Sequence, residues 1–256
     1  MKKATWISLY TLIDKEVVRI FRIWMQSLLP SVVTTSLYFL IFGAFIGQRI
    51  GEVEGVSYLE FVVPGLVMMA IITNSFSNVV SSFFGNKFQK SIEEVLVSPT
   101  PSWVIVAGYS VGGIVRGLLV GGLVLGLAFI FTGVFYSNIL AILAFAIFTS
   151  ILFSLAGLLN AIYAKKFDHV TIVPTFVLTP LTYLGGVFYS IDALPEFWQG
   201  VSRANPVLYM VNGFRYGFFG VSDVPVLVSF VIVIGFIVVL ATLDWILIRR
   251  GVGMRS

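Results

Sequence analysis

The sequence has no cysteine and few charged residues. Zero cysteines among 256 residues exclude disulfide bonds and thiolate metal sites. Charged residues make up only 11% of the chain, whereas an ordinary soluble domain carries roughly 25%. Hydrophobic residues make up 58%. This composition excludes a soluble globular fold and indicates a protein that lies in a lipid bilayer.

Patterns that bind nucleotides or couple ions are also missing. No lysine follows a glycine, so the chain has no P-loop and does not bind ATP by that route. A proton- or sodium-coupled carrier places ionisable groups deep in its spans. Here Arg116 and Asp244 are the only candidates, and both are expected near span ends. This weighs against an ion-coupled secondary transporter, which stays as one alternative.

One pattern resembles a catalytic motif. Residues 108–112 match G-x-S-x-G with Ser110 as the nucleophile, but that motif requires a strand, a sharp turn and a helix. Here it lies in a glycine-rich segment that enters an apolar run, and the single histidine, His169, lies in a charged loop. An intramembrane serine hydrolase is therefore a second, weaker alternative, and we expect no catalytic residue and no metal site.

Long uncharged runs dominate the chain. They cover 25–48, 61–86, 117–164, 170–191 and 224–243, and a membrane-spanning helix needs about 20 apolar residues. The third run is too long for one crossing and divides at 133–138, where turn-forming residues occur. The sequence therefore predicts an all-α integral membrane protein with six transmembrane helices.

The predicted segments belong to one transmembrane domain, 1–256. They are an amphipathic interfacial helix (1–24), the first span (25–48), the second span (61–86), a charged helix (87–102), the third span (about 108–132), the fourth span (138–164), the fifth span (169–188), an outer re-entrant hairpin (189–220) and the sixth span (224–248).

Lysine and arginine lie mainly on one side of these spans, and cytoplasmic loops carry an excess of both. The basic residues on that side are Lys2, Lys3, Lys15, Arg19, Arg22, Lys87, Lys90, Lys165, Lys166, Arg249, Arg250 and Arg255. Only Arg49, Arg203 and Arg215 lie on the other. We therefore expect both termini in the cytoplasm, and the net charge of +4 reflects this asymmetry rather than a nucleic-acid surface.

Two amphipathic helices are predicted on the cytoplasmic side. Along 4–24 an apolar stripe opposes a basic one, which predicts a helix in the membrane plane; the stripe is Trp6, Leu9, Tyr10, Ile13, Val17, Ile20 and Trp24, and the basic residues are Lys15, Arg19 and Arg22. In 85–102, Lys87, Lys90 and Glu94 share one face of a short helix that the prolines at 99 and 101 end.

Polar residues recur on one face of the second and fifth spans, and glycines recur in the third. The polar candidates of the second span are Asn74, Ser77 or Asn78, and Ser81 or Ser82. Those of the fifth span are Thr171, Thr175, Thr179 and Thr182, and Pro174 and Pro180 should kink it. Polar stripes in lipid face other helices or a substrate pathway, and both interpretations stay open. The small-xxx-small spacing between 108 and 126 predicts close helix packing, with Arg116 reaching the interface.

The segment 185–220 is rich in aromatic residues and too apolar for a free loop. We expect two short helices that enter the outer leaflet and break at Asn205 and Pro206.

The order of these features resembles the ABC-2 type permeases, the membrane subunits of bacterial ATP-binding cassette exporters. The resemblance covers the whole chain and rests on the N-terminal helix, the six spans, Ser98-Pro99-Thr100-Pro101, Arg116, Asn205-Pro206, Tyr209, Arg215 and the stretches 61–74 and 174–190. The motifs are degenerate one by one, and their order carries the specificity.

The resemblance implies a transport subunit rather than an enzyme. It makes the charged helix a coupling helix that docks on a separate ATPase, with Lys87, Lys90, Glu93 and Glu94 as coupling residues. It implies a pathway near Asn74, Asn78, Thr175, Thr179 and Thr182, and an outer gate at Asn205, Pro206, Tyr209 and Arg215. The implied partners are a second permease copy, two P-loop ATPase copies that hold ATP and Mg²⁺, and the bilayer of the bacterial inner membrane. Exporters of drugs, lipids and glycans share this layout.

Overall fold

The structure is a computed structural model that describes residues 2–53, 55–133 and 136–253, nearly all of them helical. Residues 134–135 of the predicted turn and Arg255 of the basic tail lie outside the described residues. The side chains of the described residues pack into two adjoining apolar clusters.

The N-terminal third contains the interfacial helix and the first long helical run. Helix α1 (Lys2–Arg22) leads into α2 (Trp24–Ser27), α3 (Leu29–Leu40), a π-helical segment (Ile41–Gly47) and α4 (Gln48–Ile50). A two-stranded antiparallel ribbon follows, β1 (Glu52–Val53) and β2 (Val56–Ser57). It occupies the predicted outer loop after the first span.

Helix α5 (Tyr58–Phe88) is the centre of the bundle. Ser57 caps its N-terminus through the backbone N–H of Glu60, whose carboxylate accepts from the N–H of Ser57 in return. In the most apolar stretch of α5, 72% of the residues are buried, against 12% in the run Trp24–Ile50. The other helices therefore pack around α5.

Three helices form the core with α5. They are the short α6 (Ser91–Val97), the long α7 (Ser102–Thr132) and α8 (Ile139–Tyr163). Helix α7 ends at Gly133, whose φ of +63° is the left-handed conformation that glycine adopts without strain. The side chain of Asn138 caps α8 by accepting from the N–H of Ala141.

The C-terminal part is more broken. Helix α9 (Phe167–Val173), a π-helical segment (Pro174–Leu178) and α10 (Thr179–Tyr183) run in sequence, followed by a 3₁₀ turn (Ile191–Ala193). Helices α11 (Glu196–Arg203) and α12 (Pro206–Phe219) lie on either side of the expected break at Asn205, and α13 (Val226–Arg249) closes the chain.

Five helical runs of the described chain are long and apolar enough to cross a membrane. They are Trp24–Ile50, Tyr58–Phe88, Ser102–Thr132, Ile139–Tyr163 and Val226–Arg249. The predicted fifth span, 169–188, falls on a helical run of 17 residues made of α9, the π-helical segment and α10, which follow each other without a gap. Its regular α-helical pattern is interrupted from Pro174 to Leu178, and we call 167–183 the broken segment. A sixth crossing stays a prediction.

The charged helix differs from the sequence prediction. Helix α5 continues to Phe88, so Lys87 belongs to its last turn. Lys90 has a φ of +61°, which breaks the helix, and only α6, seven residues long, follows. Lys87, Lys90 and Glu94 therefore do not share one face of one helix, and that expectation was wrong.

The buried face of α1 also differs from the predicted apolar stripe. Trp6 and Tyr10 of the stripe are 68% and 71% exposed, whereas Leu12, Glu16 and Ile20 are buried. These three positions follow each other at intervals of four, so they form one side of the helix. The face of α1 that packs against the bundle therefore contains the carboxylate of Glu16. The rings of Trp6 and Tyr10 lie on the exposed face.

Candidate functional site

Helix α6 presents an exposed surface on the predicted cytoplasmic side. Ile92 is buried at 1% exposure, while Glu93 and Glu94 are exposed and Val97 is 87% exposed. The helix is therefore anchored by Ile92, with Val95 and Leu96 partly buried beside it, and carries an exposed face with two carboxylates and one aliphatic group.

A groove separates α6 from α1. It has a volume of about 300 Å³ and is lined on the α1 side by Ile7, Ser8, Thr11 and Leu12, and on the other by Glu94, Val95, Ser98 and Thr100. The hydroxyl of Thr100 lies 3.5 Å from that of Ser8 and donates to it. Glu94 therefore faces α1 across the groove, whereas Glu93 does not line it.

Lys87 is engaged within the bundle. Its Nζ donates to the carbonyl oxygens of Ile162 and Ala164, each at 2.7 Å. These are free carbonyls at the C-terminal end of α8, where the helix dipole favours a cation. Lys87 therefore fastens α5 to α8, while Lys90 is exposed.

A buried polar cluster joins α1 to α5. The sequence predicted a polar face of α5 at Asn78 and Ser82 but not its partner Glu16 on α1. Glu16 is fully buried, and one carboxylate oxygen lies 2.9 Å from Nη2 of Arg19 while the other accepts from the hydroxyl of Ser82 at 2.6 Å. Nη2 of Arg19 also donates to the side-chain oxygen of Asn78 at 3.0 Å and to its backbone carbonyl at 3.2 Å. We call Glu16, Arg19, Asn78 and Ser82 the α1–α5 polar cluster.

Glycines of α7 hold α1 against the bundle beside this cluster. A Cβ at Gly108 would lie 2.8 Å from Cβ of Leu12, and one at Gly112 would lie 2.9 Å from Cβ of Glu16. Since real Cβ atoms do not approach so closely, only glycine permits this contact. The predicted role of the glycines in close packing is met here within one chain.

The two predicted asparagines of α5 have different surroundings: Asn78 packs against α1, and Asn74 lines a cavity. Asn78 is held by Arg19, as described. Asn74 exchanges hydrogen bonds with the hydroxyl of Ser31 on α3, at 3.0 and 3.2 Å. Asn74 and Ser31 also line an open cavity of about 210 Å³ between α3 and α5, together with Thr34, Thr35, Tyr38 and Thr73.

The threonines of the predicted fifth span do not share one face. Thr171, Thr175 and Thr179 are exposed, but Thr182 is buried and donates to the carbonyl of Thr179 at 2.8 Å. The π-helical segment adds a residue to the turn, which rotates the following positions. Thr179 correspondingly donates to the carbonyl of Pro174, five residues earlier.

The C-terminal ends of α3 and α10 meet through aromatic rings near Phe188. The ring of Phe188 lies 6.5 Å from that of Tyr38 and 5.6 Å from that of Tyr183. The hydroxyl of Tyr58, at the start of α5, donates to the carbonyl of Phe188 at 3.1 Å. The contacts around Phe188 therefore hold α3, α5 and α10 together. Each of these helices carries an exposed threonine: Thr34, Thr73 and Thr179.

The predicted outer-gate residues make structural contacts. Asn205 donates to the carbonyl of Leu181 at 2.6 Å and caps α12, in which Pro206 is the first residue. Tyr209 donates to the carbonyl of Arg203 at 2.7 Å. These contacts fix the start of α12 to the end of α10.

Arg215 is buried at 3% exposure and joins three parts of the outer region. It donates to the carbonyl of Gly186 at 2.7 Å, lies 3.7 Å from the carboxylate of Asp223, and covers the ring of Phe61 at 4.2 Å. An arginine in this position fixes the outer segments to α5.

Arg116 is partly buried and engaged rather than free at the interface. Its Nη2 donates to the carbonyl of Ser27 at 3.0 Å, where the chain bends between α2 and α3. The sequence predicted that the guanidinium reaches the membrane surface, but in the structure it donates to the last residue of α2. Burial of an arginine in a span requires such an acceptor.

The features considered for catalysis do not form a reactive site. Ser110 lies inside the continuous helix α7, without the strand and turn that a nucleophile elbow requires. His169 is exposed in the first turn of α9. Within 2–53, 55–133 and 136–253, no group of three or more His, Cys, Asp and Glu residues could hold a metal ion.

The amino-acid sequence is similar to those of known membrane permeases and nodulation proteins. The chain is 53% identical to the inner membrane transport permease YadH of Escherichia coli K12 over the full length of both. It is 24% identical to nodulation protein J of Rhizobium leguminosarum bv. viciae over 227 residues, 88% of each chain. Nodulation protein J of Rhizobium meliloti matches at 24% over 195 residues, 76% of this chain and 74% of that protein.

The same comparison identifies the family. The model of the ABC-2 type transporters matches residues 7–219, from the first turns of α1 to the end of α12. That range includes the α1–α5 polar cluster, α6 and the threonine-bearing segments. The chain therefore belongs to the ABC-2 type transporter family.

Proposed function

We propose that this chain is the membrane permease subunit of an ATP-binding cassette exporter in the bacterial inner membrane. It moves a drug-like molecule, lipid or glycan with energy from ATP, which is hydrolysed on a separate ATPase subunit. The observation that carries the proposal is α6, a short helix with Glu93, Glu94 and Val97 exposed beside α1. The similarity to an inner membrane transport permease supports the cellular location.

The proposed mechanism follows the rigid connections of the fold. Two ATPase subunits dock on the α6 helices of two permease copies and push them when ATP closes the pair. Motion of α6 reaches α1 across the shared groove, and α1 passes it to α5 through the α1–α5 polar cluster. Helix α5 carries it to the outer segments through Tyr58. No ATP or Mg²⁺ is held by this chain in the proposal.

The proposed orientation places both termini and α6 in the cytoplasm. It is supported by the basic residues at the N-terminus, around α6 and between α8 and α9. It requires that 169–188 crosses the membrane as a sixth, broken span. A broken helix is tolerated at membrane depth where protein or a lined cavity satisfies its backbone.

The transport pathway is proposed to lie between two copies of the chain. Thr73 of α5, Thr34 of α3 and Thr175 with Thr179 in the broken segment are exposed. Polar side chains in spans face protein or a water-filled route rather than lipid. A second copy would cover these threonines and enclose the route, with the segment around Asn205 and Arg215 as its outer end.

Loss of the two α6 carboxylates is expected to weaken coupling to the ATPase. In the variant Glu93→Ala with Glu94→Ala, the affinity-purified permease should retain at least about tenfold less of its P-loop ATPase partner, or the retained ATPase should hydrolyse ATP without transport. Removing an exposed charge from an interface costs about 0.7 kcal/mol, so removing two costs about 1.4 kcal/mol, which is tenfold in affinity. The measurement is co-purification in mild detergent and ATP hydrolysis in proteoliposomes.

The control for this experiment is Glu52→Ala with Glu196→Ala, two exposed carboxylates on the opposite side of the proposed membrane. It should leave the partner and its hydrolysis unchanged. If unmodified permease retains no P-loop protein, or if an ion gradient alone drives transport, the proposed function is wrong. Equal behaviour of both double variants would remove α6 from the mechanism.

Cysteine cross-linking is expected to show the second copy. Because the chain has no cysteine, a single introduced thiol can form a disulfide only with the same residue of another copy. We expect a dimer from at least one of Thr171→Cys, Thr175→Cys and Thr179→Cys, which are exposed on the broken segment. A disulfide requires Cα atoms within about 7 Å, and non-reducing gel electrophoresis of oxidised membranes detects the product.

The matched controls are Val231→Cys and Val238→Cys on α13, whose side chains are 61% and 58% exposed. These two variants show how often thiols of separate copies form a disulfide by random collision in the membrane. We expect them to remain monomeric on the gel. Dimers from α13 alone would place the interface on that helix and would contradict the proposed route.

A further inference from the structure

An apolar cavity lies on the side of the bundle formed by α8 and the broken segment α9–α10. Its volume is about 440 Å³, and it is distinct from the threonine-lined cavity between α3 and α5. Phe76 of α5, Leu152 and Phe153 of α8, and Val177 and Leu181 of the broken segment line it. The lining is almost wholly carbon.

The shape of the cavity follows α8. Its lining includes Leu152 at one end and Tyr163 at the other, and eleven residues of α-helix correspond to about 16 Å. Val177 and Tyr163 are 46% and 57% exposed, so the cavity opens at the surface of the bundle. Apolar cavities exclude water, and the medium around spans is hydrocarbon, so an acyl chain fits this space.

Two residues of the lining carry polar side chains, Asn160 and Tyr163. Asn160 of α8 lines the cavity, and its side-chain nitrogen is buried with no hydrogen-bond acceptor among the residues that the structure describes. A buried donor without an acceptor costs about 1–3 kcal/mol. The nitrogen has almost no accessible surface, so an ester carbonyl at the head of an acyl chain can accept from it only after the Asn160 side chain rotates toward the cavity. Asn160 lies one turn before the end of α8.

Positive charge surrounds the same end of the cavity. Lys165 and Lys166 are exposed directly after α8, and Lys87 adds its ammonium group at the carbonyls of Ile162 and Ala164. Asp168 is the one carboxylate in this segment, so the balance is positive. Phe167 beside them is 59% exposed and contacts Phe88 at a ring distance of 4.8 Å, as in an interfacial aromatic belt.

We propose that this cavity binds one acyl chain of an anionic phospholipid of the cytoplasmic leaflet. The chain lies along α8, the ester carbonyl accepts from Asn160, and the headgroup phosphate contacts Lys165 and Lys166. The assignment to the cytoplasmic leaflet rests on the orientation proposed above. The contacts between the lipid and the cavity do not depend on that orientation. A lipid held here fills the space between α8 and the broken segment and supports the latter.

Native mass spectrometry of the purified full-length chain tests the site. The detergent-solubilised protein is titrated with dioleoyl phosphatidylglycerol and, separately, with dioleoyl phosphatidylcholine. We expect tighter binding of phosphatidylglycerol. Lys165→Gln with Lys166→Gln should weaken it by about ten- to thirtyfold and leave phosphatidylcholine unchanged, since each lysine near an anionic headgroup contributes of the order of fivefold. The charge-matched control, Lys3→Gln with Arg22→Gln on α1, should bind as the unmodified chain.

A second pair of variants tests the cavity itself. Leu159→Trp fills it, whereas Leu227→Trp makes the same change on α13 at a side chain that is 74% exposed. The first should remove the bound lipid and the second should keep it. Ala156→Leu, also in the lining, replaces Leu159→Trp if that variant does not fold.

Equal binding of the two lipids, or unchanged binding in both cavity-filling variants, would overturn the lipid site. These measurements need neither the ATPase nor a transported substrate. A negative result therefore leaves the proposed export function intact, and a chain without an ATPase partner can still bind lipid.

Discussion

Replacement of Arg19 by methionine is expected to lower the free energy of unfolding by about 3 kcal/mol. The change leaves the carboxylate of Glu16 buried at 0% exposure without its cation, and breaking a buried pair in this way costs about 3–5 kcal/mol. The Arg19 side chain is itself 26% exposed, which places the loss at the low end. Thermal unfolding of the purified transporter in detergent measures it.

Arg22→Met is the matched control. Arg22 carries the same charge at the end of the same helix but is exposed, and surface substitutions change stability by less than about 0.5 kcal/mol. A further variant, Glu16→Gln with Arg19→Met, removes both charges and should recover part of the loss. If Arg19→Met and Arg22→Met unfold alike, the α1–α5 polar cluster does not hold α1 in place.

The same variant tests the proposed force transmission. In the proposed mechanism α1 carries motion of α6 to α5, in addition to the direct chain connection between α5 and α6 at residues 89–90. Loosening α1 should therefore lower transport while ATP hydrolysis continues. Arg22→Met should leave both ATP hydrolysis and transport unchanged. This separates the α1–α5 polar cluster from α6, whose carboxylates are expected to act on ATPase attachment itself.

The sequence predicted the composition-driven features of this transporter well. Long uncharged runs predicted the five helical runs that are long and apolar enough to cross a membrane, because a span must satisfy its own backbone in hydrocarbon. The sixth crossing stays a prediction. The breaks after Thr132 and before Pro206 were predicted from turn-forming residues, which act locally. The glycines of α7 were expected to bring helices together, and Gly108 with Gly112 does so.

The site was less predictable because its partners are distant in sequence. Arg19 was assigned to a basic face of α1, but its acceptor Asn78 is 59 residues away. One signal was present: Glu16 lies four residues from both Leu12 and Ile20, which puts a carboxylate on a stripe that is otherwise apolar. A charge in that register indicates a buried partner rather than solvent.

The broken segment near Thr175 shows a different limit of pattern reasoning. The spacing of the threonines assumed a regular helix of 3.6 residues per turn. The π-helical turn at Pro174–Leu178 changes that period, so Thr182 turns inward while Thr175 and Thr179 stay exposed. Proline indicated an irregularity there, but its kind depends on the neighbouring helices.

Gly113→Leu is expected to destabilise the fold by about 3 kcal/mol or more, at or beyond the upper end of ordinary overpacking. A Cβ at Gly113 would lie 2.6 Å from Val79 and 2.7 Å from the carbonyl of Ser75, and it would also meet the hydroxyl of Ser154. Since these atoms belong to α5 and α8, the added side chain must separate the helices of the core. Unfolding temperature and monodispersity in detergent measure the effect.

Gly122→Leu provides the matched comparison in the same helix. A Cβ there meets no atom of the described chain within 4 Å, so the leucine adds helix propensity of up to about 1 kcal/mol without a clash. Gly113→Ala, which adds the Cβ alone, should fall between the two leucine variants because the carbonyl of Ser75 cannot rotate away. Equal unfolding temperatures for Gly113→Leu and Gly122→Leu would mean that the close contact of Gly113 with α5 and α8 does not hold the helices of the core together.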